Sequence, residues 1–412
     1  MKILHTADLH LGQVIYQNYD RSDEHSHFFR QLEKWCIQEQ PDVLLLSGDV
    51  FDIQQPSASV RKVFTDFFVG LHRLCPTMHF IITAGNHDSA SRLQADKAVW
   101  LLANAHIIGV PPMAILPAND SWHDDFIIRL DSGYVVALPY MSGERHEVIQ
   151  SLLDKVAQEN RDGKPVVMMA HAAVSGVDLL GHDMEIGKIR TVAVEGMGKG
   201  YDYLAMGHIH KPQTIGHQED AMEEDVTYPS PVVRYSGSAL HVSCDETYPH
   251  TVSMVEIDRH GGSVRIRQLR IDELRHFYVL PQDGTSFTTA DGAIEAMKAL
   301  TEKQGRGYVR FRIDSNAVLP SDFNQRVYDE LSKYNEEWRY NPKIIWTGSI
   351  GQNDDPEQLV FQVADLQQMT DPMEFIEKTQ HNYPNLDIDD TRQAFEEIKD
   401  EVLRMREEKM SK

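Results

Sequence analysis

The sequence has 412 residues, and a typical domain size of about 150 residues predicts two or three domains. Hydrophobic residues make up 41% and charged residues 25% of the chain, which excludes a fibrous or wholly disordered protein. The net charge of −23 excludes nucleic-acid binding by bulk electrostatics, because clustered Lys and Arg are needed to neutralise phosphates. A nucleic-acid enzyme with a local basic path or a basic partner remains compatible with this charge.

The cysteines and the N-terminus give a first indication of location. Cys36, Cys75 and Cys244 form no Cys-x-x-Cys pair, so we expect neither a disulfide framework nor a structural zinc knuckle. The N-terminal residues turn polar too early for a signal peptide, and no apolar run approaches about 18 residues. These features predict a cytoplasmic protein.

Short apolar runs alternate with helical patterns up to about residue 270, which predicts a layered α/β architecture. Apolar residues recur at helical spacing over residues 28–36 and 60–74. Residues 252–257 and 264–271 predict a closing hairpin across Gly261-Gly262. The runs expected to form buried strands are Lys2 to Thr6, Val43 to Ser47, Met78 to Ala84, Val166 to Ala170 and Tyr203 to Met206.

The pattern restarts after residue 275 and predicts a smaller α/β module followed by an acidic tail. The module is expected to contain helices near residues 291–302 and 322–334 and strands near 308–313 and 343–346. From Gly351 onward, seven basic and sixteen acidic side chains accompany a narrow apolar seam on a predicted helix. The seam consists of Phe395, Ile398, Val402 and Met405.

Residues with metal-ligand chemistry follow five of the predicted strands. They are Asp8 and His10, Asp49, Asn86, His171, and His208 with His210. Because sites in open α/β sheets form at the carboxyl ends of strands, we expect these side chains to share one edge. Alternate spacing lets both members of a pair face the same side. The set exceeds the needs of one ion and predicts two ions about 3.5 to 4 Å apart, bridged by Asp49.

Each motif also has a simpler explanation. An Asp-x-His sequence at a strand end is typical of a turn or a helix cap. Gly85-Asn86 is typical of a tight turn, because both residue types tolerate positive φ. The segment around His208 is equally typical of a solvated loop. The occurrence of all five motifs at strand ends favours the metal site.

The ordered set of motifs resembles the calcineurin-like metallophosphoesterase superfamily. Within it, residues 3–12 and 235–238 are similar to the SbcD family of bacterial nuclease subunits. The resemblance implies an α/β fold: a two-sheet metallophosphoesterase sandwich flanked by helices, with a smaller α/β capping domain and a helical C-terminal tail. The expected domains are residues 1–272, 273–350 and 351–412. The motifs are Asp8-x-His10, Gly48-Asp49-x-x-Asp52, Gly85-Asn86-His87-Asp88, His171 and Gly207-His208-x-His210.

The resemblance also implies a role for each residue. His87 is expected beside the scissile phosphate as a general acid, with a hydrogen bond to a metal ligand as the alternative role. Asp52 and Asp88 are expected to orient the ligands. Mixed imidazole and carboxylate ligands favour Mn²⁺, Fe²⁺ or Zn²⁺, and the resemblance makes manganese the first choice. One ion is expected on Asp8, His10, Asp49 and His210, and the other on Asp49, Asn86, His171 and His208.

The metal site by itself does not define the substrate. The resemblance favours a DNA nuclease for repair and recombination that acts on double-stranded ends, single strands and hairpins. A phosphatase or cyclic phosphodiesterase with the same ligands, or a DNA-end scaffold, is the alternative. Five residues after the metal-bearing turns are candidates for DNA phosphate contacts, although scattered surface cations are equally typical. They are Gln13, Tyr16, Arg61, Lys62 and Arg92.

The resemblance further implies partners. An SbcC-type coiled-coil ATPase is expected to dock on the apolar seam of the tail. Helices near residues 57–74 and 92–104 carry enough apolar surface for a homodimer, and hence for a heterotetramer with the ATPase. No membrane contact is expected. The acidic insert over residues 218–229 leaves the local path of DNA open.

Overall fold

The computed structural model describes residues 1–16, 19–112, 120–143, 145–179, 191–217, 225–242, 246, 248–334 and 337–347. The chain divides into one compact unit over Met1–Thr347 and a second over Gly348–Lys412. All described residues belong to the first unit. The boundary expected near residue 272 stays a prediction.

The strands of the first half of the chain lie at or near the positions that the apolar runs predict. In chain order they are β1 Lys2–Thr6, β2 Val14–Ile15, β3 Tyr19–Asp20, β4 Val43–Ser47, β5 His79–Thr83, β6 Ala105–Ile108, β7 Ile127–Leu130, β8 Gly133–Ala137, β9 Val166–His171, β10 Ala173–Val174 and β11 Thr191–Val192.

The remaining strands include the predicted hairpin, which β16 and β17 form as an antiparallel pair. They are β12 Tyr203–Gly207, β13 Gln213–Thr214, β14 Asp225–Pro229, β15 Val232–Tyr235, β16 Thr251–Ile257, β17 Ser263–Arg270, β18 His276–Leu280, β19 Gly307–Asp314, β20 Trp338–Tyr340 and β21 Ile345–Thr347.

The helices include the two amphipathic segments that the sequence predicts near residues 28–36 and 60–74. The helix expected over 92–104 is instead three short helical segments, Ala90–Gln94, Lys97–Trp100 and Leu101–Ala103. The α-helices are α1 Ser22–Glu39, α2 Ala58–Leu74, α3 Ala90–Gln94, α4 Lys97–Trp100, α5 His146–Glu159, α6 Ala290–Lys303 and α7 Phe323–Leu331.

Two large sheets form a sandwich. The first sheet has the strand order β14-β17-β16-β1-β4-β5-β6, and the second has the order β13-β15-β12-β9-β8-β7. Neighbours β1, β4 and β5 are parallel, as are β9 and β12, so their carboxyl ends point the same way within each sheet. This arrangement confirms the two-sheet sandwich expected from the sequence.

Strand β4 shows why both faces of the first sheet are covered. All five of its residues are buried, which is typical of a parallel strand between two layers. Val43 and Leu45 belong to the core between the two sheets, while Leu44 and Leu46 pack in a second cluster with helices α1 and α2. Side chains alternate between the faces of a strand, so one apolar run serves both cores.

The smaller module has its own hydrophobic core. Strands β18, β20 and β21 all pair in parallel with β19. Helices α6 and α7 pack on them through Met297 and Val327, which lie with Phe311 in one buried cluster. The predicted helix and strand positions of this module are thus confirmed to within a few residues. The seam at 395–405 lies outside the described residues, as do residues 218–224 of the acidic insert.

Candidate metal centre

The seven predicted metal ligands lie at the carboxyl ends of strands in both sheets. Asp8 and His10 follow β1, Asp49 follows β4 and Asn86 follows β5. In the second sheet, His171 ends β9, and His208 and His210 follow β12. The backbone amide of His208 donates to Asp8 Oδ1 at 3.0 Å, so the ligand-bearing edges of the two sheets meet. The structure therefore brings all seven residues to one place.

The backbone at this edge is strained. Asp8, His10, Asp49 and His208 have φ values of 52°, 46°, 47° and 93°, in a region that residues with a Cβ rarely adopt. They make up four of the seven non-glycine residues with positive φ in the described part of the chain. Such conformations are unfavourable by about 1–3 kcal/mol each and concentrate at functional sites.

Close packing explains why glycines precede two of the ligand motifs. A Cβ on Gly85 would lie 2.1 Å from Asp49 Oδ1, and a Cβ on Gly48 would lie 2.1 Å from His171 Nδ1. Gly48 also has a φ of +86°. A side chain at either position would displace a candidate ligand. The Gly-Asp and Gly-Asn-His motifs are therefore requirements of the site geometry.

The first of two clusters contains Asp8, His10 and His210, and a group of His10, Asp49 and His87 joins it to the second. One ligand atom of each residue lies within 4.8 Å of the others, and all three side chains are buried. Asp49 Oδ2 lies 3.9 Å from His10 Nε2, at the boundary with the second cluster. The grouping matches the set expected for one ion.

The second cluster contains Asp49, His171 and His208. His171 Nε2 lies 3.3 Å from Asp49 Oδ2 and 3.0 Å from Asn86 Oδ1. Asn86 Oδ1 is also 3.0 Å from His208 Nδ1. Asp49 contacts members of both clusters, which is the position that a bridging carboxylate requires.

Several groups fix the orientation of the imidazoles. His171 Nδ1 donates to the Ser47 carbonyl at 2.9 Å, so its Nε2 carries the lone pair that faces Asp49. His210 Nδ1 lies 3.0 Å from Glu246 Oε1, which fixes the orientation of its ring. Metal-bound histidines in proteins are usually held in this way through the second nitrogen.

The donor set fits divalent metal ions. His10 is 3% exposed, its Nδ1 faces Asp52 Oδ1 at 3.3 Å, and its Nε2 has no hydrogen-bond partner among the described residues. Lone pairs on imidazole, carboxylate and amide atoms therefore converge in a buried space, which is unfavourable without a cation. Nitrogen and oxygen ligands together suit transition-metal ions such as Mn²⁺, Fe²⁺ and Zn²⁺.

The electrostatics of the residues agree with this need for positive charge. Burial by itself would raise the pKa of Asp49, but the His171 and His10 imidazoles hold it well below its usual range. Burial lowers the pKa of His171, yet the charges of Asp49 and Asp8 outweigh it and raise that pKa to about 9. The site thus favours cations of either kind, protons or metal ions.

His87 lies at the rim of the centre and is exposed. Its backbone amide donates to Asp49 Oδ1 at 2.8 Å, and its Nδ1 donates to the Asp52 carbonyl at 2.8 Å. The ring centroid lies 4.8 Å from that of His10. Nε2 is therefore the ring atom left to exchange a proton with a substrate.

Asp52 and Asp88 occupy different surroundings. Asp52 Oδ1 lies 3.3 Å from His10 Nδ1, where it faces a candidate ligand. Asp88 is buried and accepts hydrogen bonds from the backbone amides of Val50, Phe51 and Gly85. Burial and the charge of Asp49 raise the pKa of Asp88 to about 6. Asp88 thereby ties the loop after β4 to the loop after β5.

The five candidate DNA contacts have varied settings. Arg61 and Arg92 line one pocket next to the Asp49 loop, together with Phe51 and Trp100. Lys62 pairs with Asp66 on the surface of α2. The remaining two face other residues of the protein: Gln13 Oε1 accepts from Arg21 at 2.7 Å, and the Tyr16 ring lies 6.0 Å from that of Tyr308.

Glu246 is the residue of the centre that sequence reasoning missed. It is 2% exposed and holds His210, but it follows a stretch with no helical or strand periodicity. The only local signal was its position shortly after the Tyr235-Ser236-Gly237-Ser238 segment.

Comparison with known proteins identifies the family to which this chain belongs. Residues 1–212 match the calcineurin-like phosphoesterase family, and the chain belongs to that family. Among the described residues, no helix is both long enough and apolar enough to cross a membrane.

Curated relatives show which members of the family this chain is similar to. The chain is similar to bacterial proteins that carry the name SbcD, a component of the nuclease SbcCD. The relative from Rhodobacter capsulatus is 27% identical over 69% of this chain and 73% of its own length. The relative from Escherichia coli K12 is 26% identical over 70% and 72%, and that from Bacillus subtilis is 28% identical over 62% and 66%.

Proposed function

We propose that this protein is a metal-dependent DNA nuclease that hydrolyses phosphodiester bonds. The observation that carries the proposal is the convergence of six other imidazole, carboxylate and amide side chains around Asp49. The substrate class rests on the similarity to the SbcD component of nuclease SbcCD over about 70% of the chain. The expected activities are exonucleolytic cleavage at double-stranded ends and endonucleolytic cleavage of single strands and hairpins.

The two clusters, joined by the group of His10, Asp49 and His87, support a two-ion centre. Asp49 is the shared ligand, because its Oδ2 faces both His10 and His171. We propose manganese as the metal, because the resemblance to the family favours it among the ions that suit this ligand set. Two bound divalent ions would activate a water molecule and stabilise the charge that develops on the phosphate. The two proposed sets are Asp8, His10, Asp49 and His210, and Asp49, Asn86, His171 and His208.

His87 is the proposed general acid. Its Nδ1 donates to the Asp52 carbonyl, so Nε2 carries a proton only in the imidazolium form, and that form would give the Nε2 proton to the leaving 3′ oxygen. The side chain is exposed at the rim, where an incoming backbone phosphate meets it before the buried ligands.

Arg61 and Arg92 support a path for the DNA backbone next to the centre. Both line the pocket beside Phe51, which follows Asp49 by two residues. Their positive charge counters the acidity of the chain where phosphates would arrive. Arg61 also lies 3.8 Å from Asp96, which lines the same pocket. Lys62, Gln13 and Tyr16 do not line the pocket and are therefore weaker candidates.

The partner and the location follow from the family of relatives. We propose that the chain acts with an SbcC-type coiled-coil ATPase in DNA repair and recombination in the cytoplasm. A homodimer, and thus a heterotetramer with the ATPase, fits the exposed apolar side chains of Val99, Leu101 and Leu102 near α2.

A labelled-DNA assay with matched variants tests the proposal. Duplex and hairpin DNA labelled at the 5′ or 3′ end is incubated with Mn²⁺ and the full-length chain, with and without the ATPase partner. Asp49→Asn should lower the cleavage rate at least about 1000-fold, since the loss of several kcal/mol of ion-dependent stabilisation has that size. Asp258→Asn, at an exposed position directly after β16, serves as the control and should cleave normally.

The same assay separates the alternatives. Unchanged DNA cleavage by Asp49→Asn would point to a contaminating nuclease and contradict the proposed centre. Manganese-dependent hydrolysis of a phosphomonoester or a cyclic nucleotide, with no release of nucleotides from DNA, would replace the nuclease by a phosphatase or cyclic phosphodiesterase.

A further inference from the structure

A separate group of potential metal ligands, outside the two clusters of the proposed dinuclear centre, lies beside that centre. One ligand atom each of His241, Glu246 and His250 lies within 4.8 Å of the others. Their exposed fractions are 6%, 2% and 1%. The proposed nuclease mechanism uses none of these three side chains as a metal ligand. Glu246 connects the two sites, because its Oε1 accepts from His210.

The His250 ring is oriented with a lone pair toward Glu246. Its Nδ1 donates to the Ser238 carbonyl at 2.9 Å, so the proton of the neutral ring is on Nδ1. Nε2 lies 3.2 Å from Glu246 Oε2 but makes no hydrogen bond within the described part of the chain. An imidazole lone pair and a carboxylate oxygen therefore face each other in a buried space.

His241 repeats this arrangement from the other side. Its Nε2 donates to Glu273 Oε1 at 2.8 Å, which leaves the lone pair on Nδ1. That Nδ1 is buried and has no hydrogen-bond partner among the residues that the structure describes. The ring centroids of His241 and His250 are 4.1 Å apart at an angle of 61°. The two rings thus pack edge to face rather than stacking.

The two imidazole lone pairs are unfavourable when buried beside a carboxylate. Glu246 Oε2 accepts from the Val242 amide at 3.0 Å, but the lone pairs of His241 and His250 meet no donor within the described residues. Each unsatisfied buried polar group is unfavourable by about 1–3 kcal/mol. A cation between the three side chains removes this penalty. Glu273 and Ser238 hold the opposite ring nitrogens, as carboxylates and carbonyls do around metal-bound histidines.

We propose that His241, Glu246 and His250 bind a third divalent transition-metal ion, of which Zn²⁺ is the representative. Two imidazoles and one carboxylate form a known set of three zinc ligands that leaves a fourth position open. Mg²⁺ and Ca²⁺ prefer all-oxygen sites, so they suit this cluster less well. The ion would share Glu246 with His210 and would therefore adjoin a ligand of the dinuclear centre.

Metal stoichiometry tests the site in the full-length chain. The protein is stripped with a chelator, loaded with Zn²⁺, desalted and analysed by mass spectrometry for bound zinc. Wild type should bind about one equivalent more than His250→Gln and His241→Gln, while the two ions of the neighbouring centre remain. His123→Gln is the matched control, because His123 is also buried but belongs to neither cluster, and it should match wild type.

Equal zinc content in wild type and both variants would overturn the proposal. A second measurement does not depend on how the variants fold. Wild-type crystals loaded with Zn²⁺ should show an anomalous peak about 2.0–2.1 Å from His241 Nδ1 and His250 Nε2. Peaks at the Asp49 centre with none between these two histidines would show that a proton occupies the cluster, and the third site would be rejected.

Discussion

The metal-bearing edge of the sandwich and the contact between the sandwich and the smaller module both bury charged groups, but they balance them differently. At the contact, each oxygen of Glu24 faces a donor. Oε1 accepts from the Tyr308 hydroxyl at 2.5 Å and from Arg339 at 2.9 Å, and Oε2 accepts from Arg21 at 2.6 Å. At the edge, Asp49 Oδ2 faces the imidazoles of His10 and His171, and no Lys or Arg pairs with it among the described residues.

This difference distinguishes a structural network from a site that requires a ligand. Burial of an ion pair is tolerable when opposite charges and hydrogen bonds satisfy one another, as they do around Glu24. The surplus of lone pairs around His10 and Asp49 has no such solution within the described chain and calls for a cation. Changes at the edge should therefore alter activity, and changes at the contact should alter stability.

After Asp49→Asn, the largest effect is expected for His87→Gln. The substitution removes the proposed general acid but keeps the backbone amide that donates to Asp49. The turnover number on DNA should fall about 10²- to 10⁴-fold, with bound metal and thermal stability unchanged. Steady-state kinetics and metal analysis check this, with the exposed His146→Gln as the control. A loss of bound metal would show that His87 acts as a ligand or holds one.

Glu24→Gln tests the contact. Removing one partner from a buried charge network should lower the free energy of unfolding by about 3–5 kcal/mol, because Arg21 and Arg339 lose their counter-charge. Denaturant unfolding measures this effect, and Glu302→Gln on the surface of α6 is the control. An unchanged free energy would contradict the importance of the network.

The pH dependence of stability gives an independent measure of Glu24. Burial would raise its pKa, but Arg21, Tyr308 and Arg339 lower it below the ordinary value of 4.5. A lowered folded pKa contributes stability above about pH 4.5 that is lost as the pH falls through the folded pKa. Glu24→Gln should lack this part of the acid destabilisation. Parallel acid profiles for the two proteins would argue against a lowered pKa.

A smaller effect is expected for Asp52→Asn at the edge. Asp52 faces His10 Nδ1, and loss of its charge should reduce metal affinity about 10- to 100-fold. Cleavage should therefore require more Mn²⁺ but reach a similar maximum. Titration of activity with Mn²⁺ tests this. An unchanged half-saturating concentration would mean that Asp52 does not support the ligand.

The smallest effect belongs to Tyr308→Phe at the contact. The hydroxyl donates to Glu24 and accepts from Arg339. Its removal should lower the free energy of unfolding by about 1–3 kcal/mol, since Arg339 still pairs with Glu24. Nuclease activity at saturating metal should not change. A drop in activity would show that the contact also positions the metal-bearing edge.

The same contrast explains what the sequence could predict. The strands and their ligands could be predicted from the sequence because apolar runs end in short motifs, as at Asp8 and Asp49. The carboxyl ends of parallel strands also meet at one edge of a sheet. The contacts of Glu246 with His210 and of Glu24 with Tyr308 could not be predicted from the sequence. These pairs are 36 and 284 residues apart, and neither Glu lies in a motif or at a periodic position that identifies its partner.

The helix boundaries near residues 92–104 also could not be predicted from the sequence, for a different reason. The apolar residues there occur at helical spacing, but the segment breaks at Asp96 and again at Leu101. Asn104 ends it in a left-handed conformation with a φ of 52° and leads directly into β6.

The central claim is that Asp49 joins two divalent ions. Crystals of the full-length chain grown with Mn²⁺, measured at a wavelength that gives manganese anomalous scattering, test it most directly. The account predicts two peaks about 3.5–4 Å apart, one on each side of the Asp49 carboxylate. A map with no peak at that carboxylate, or with a single ion that Asp49 does not contact, would contradict it.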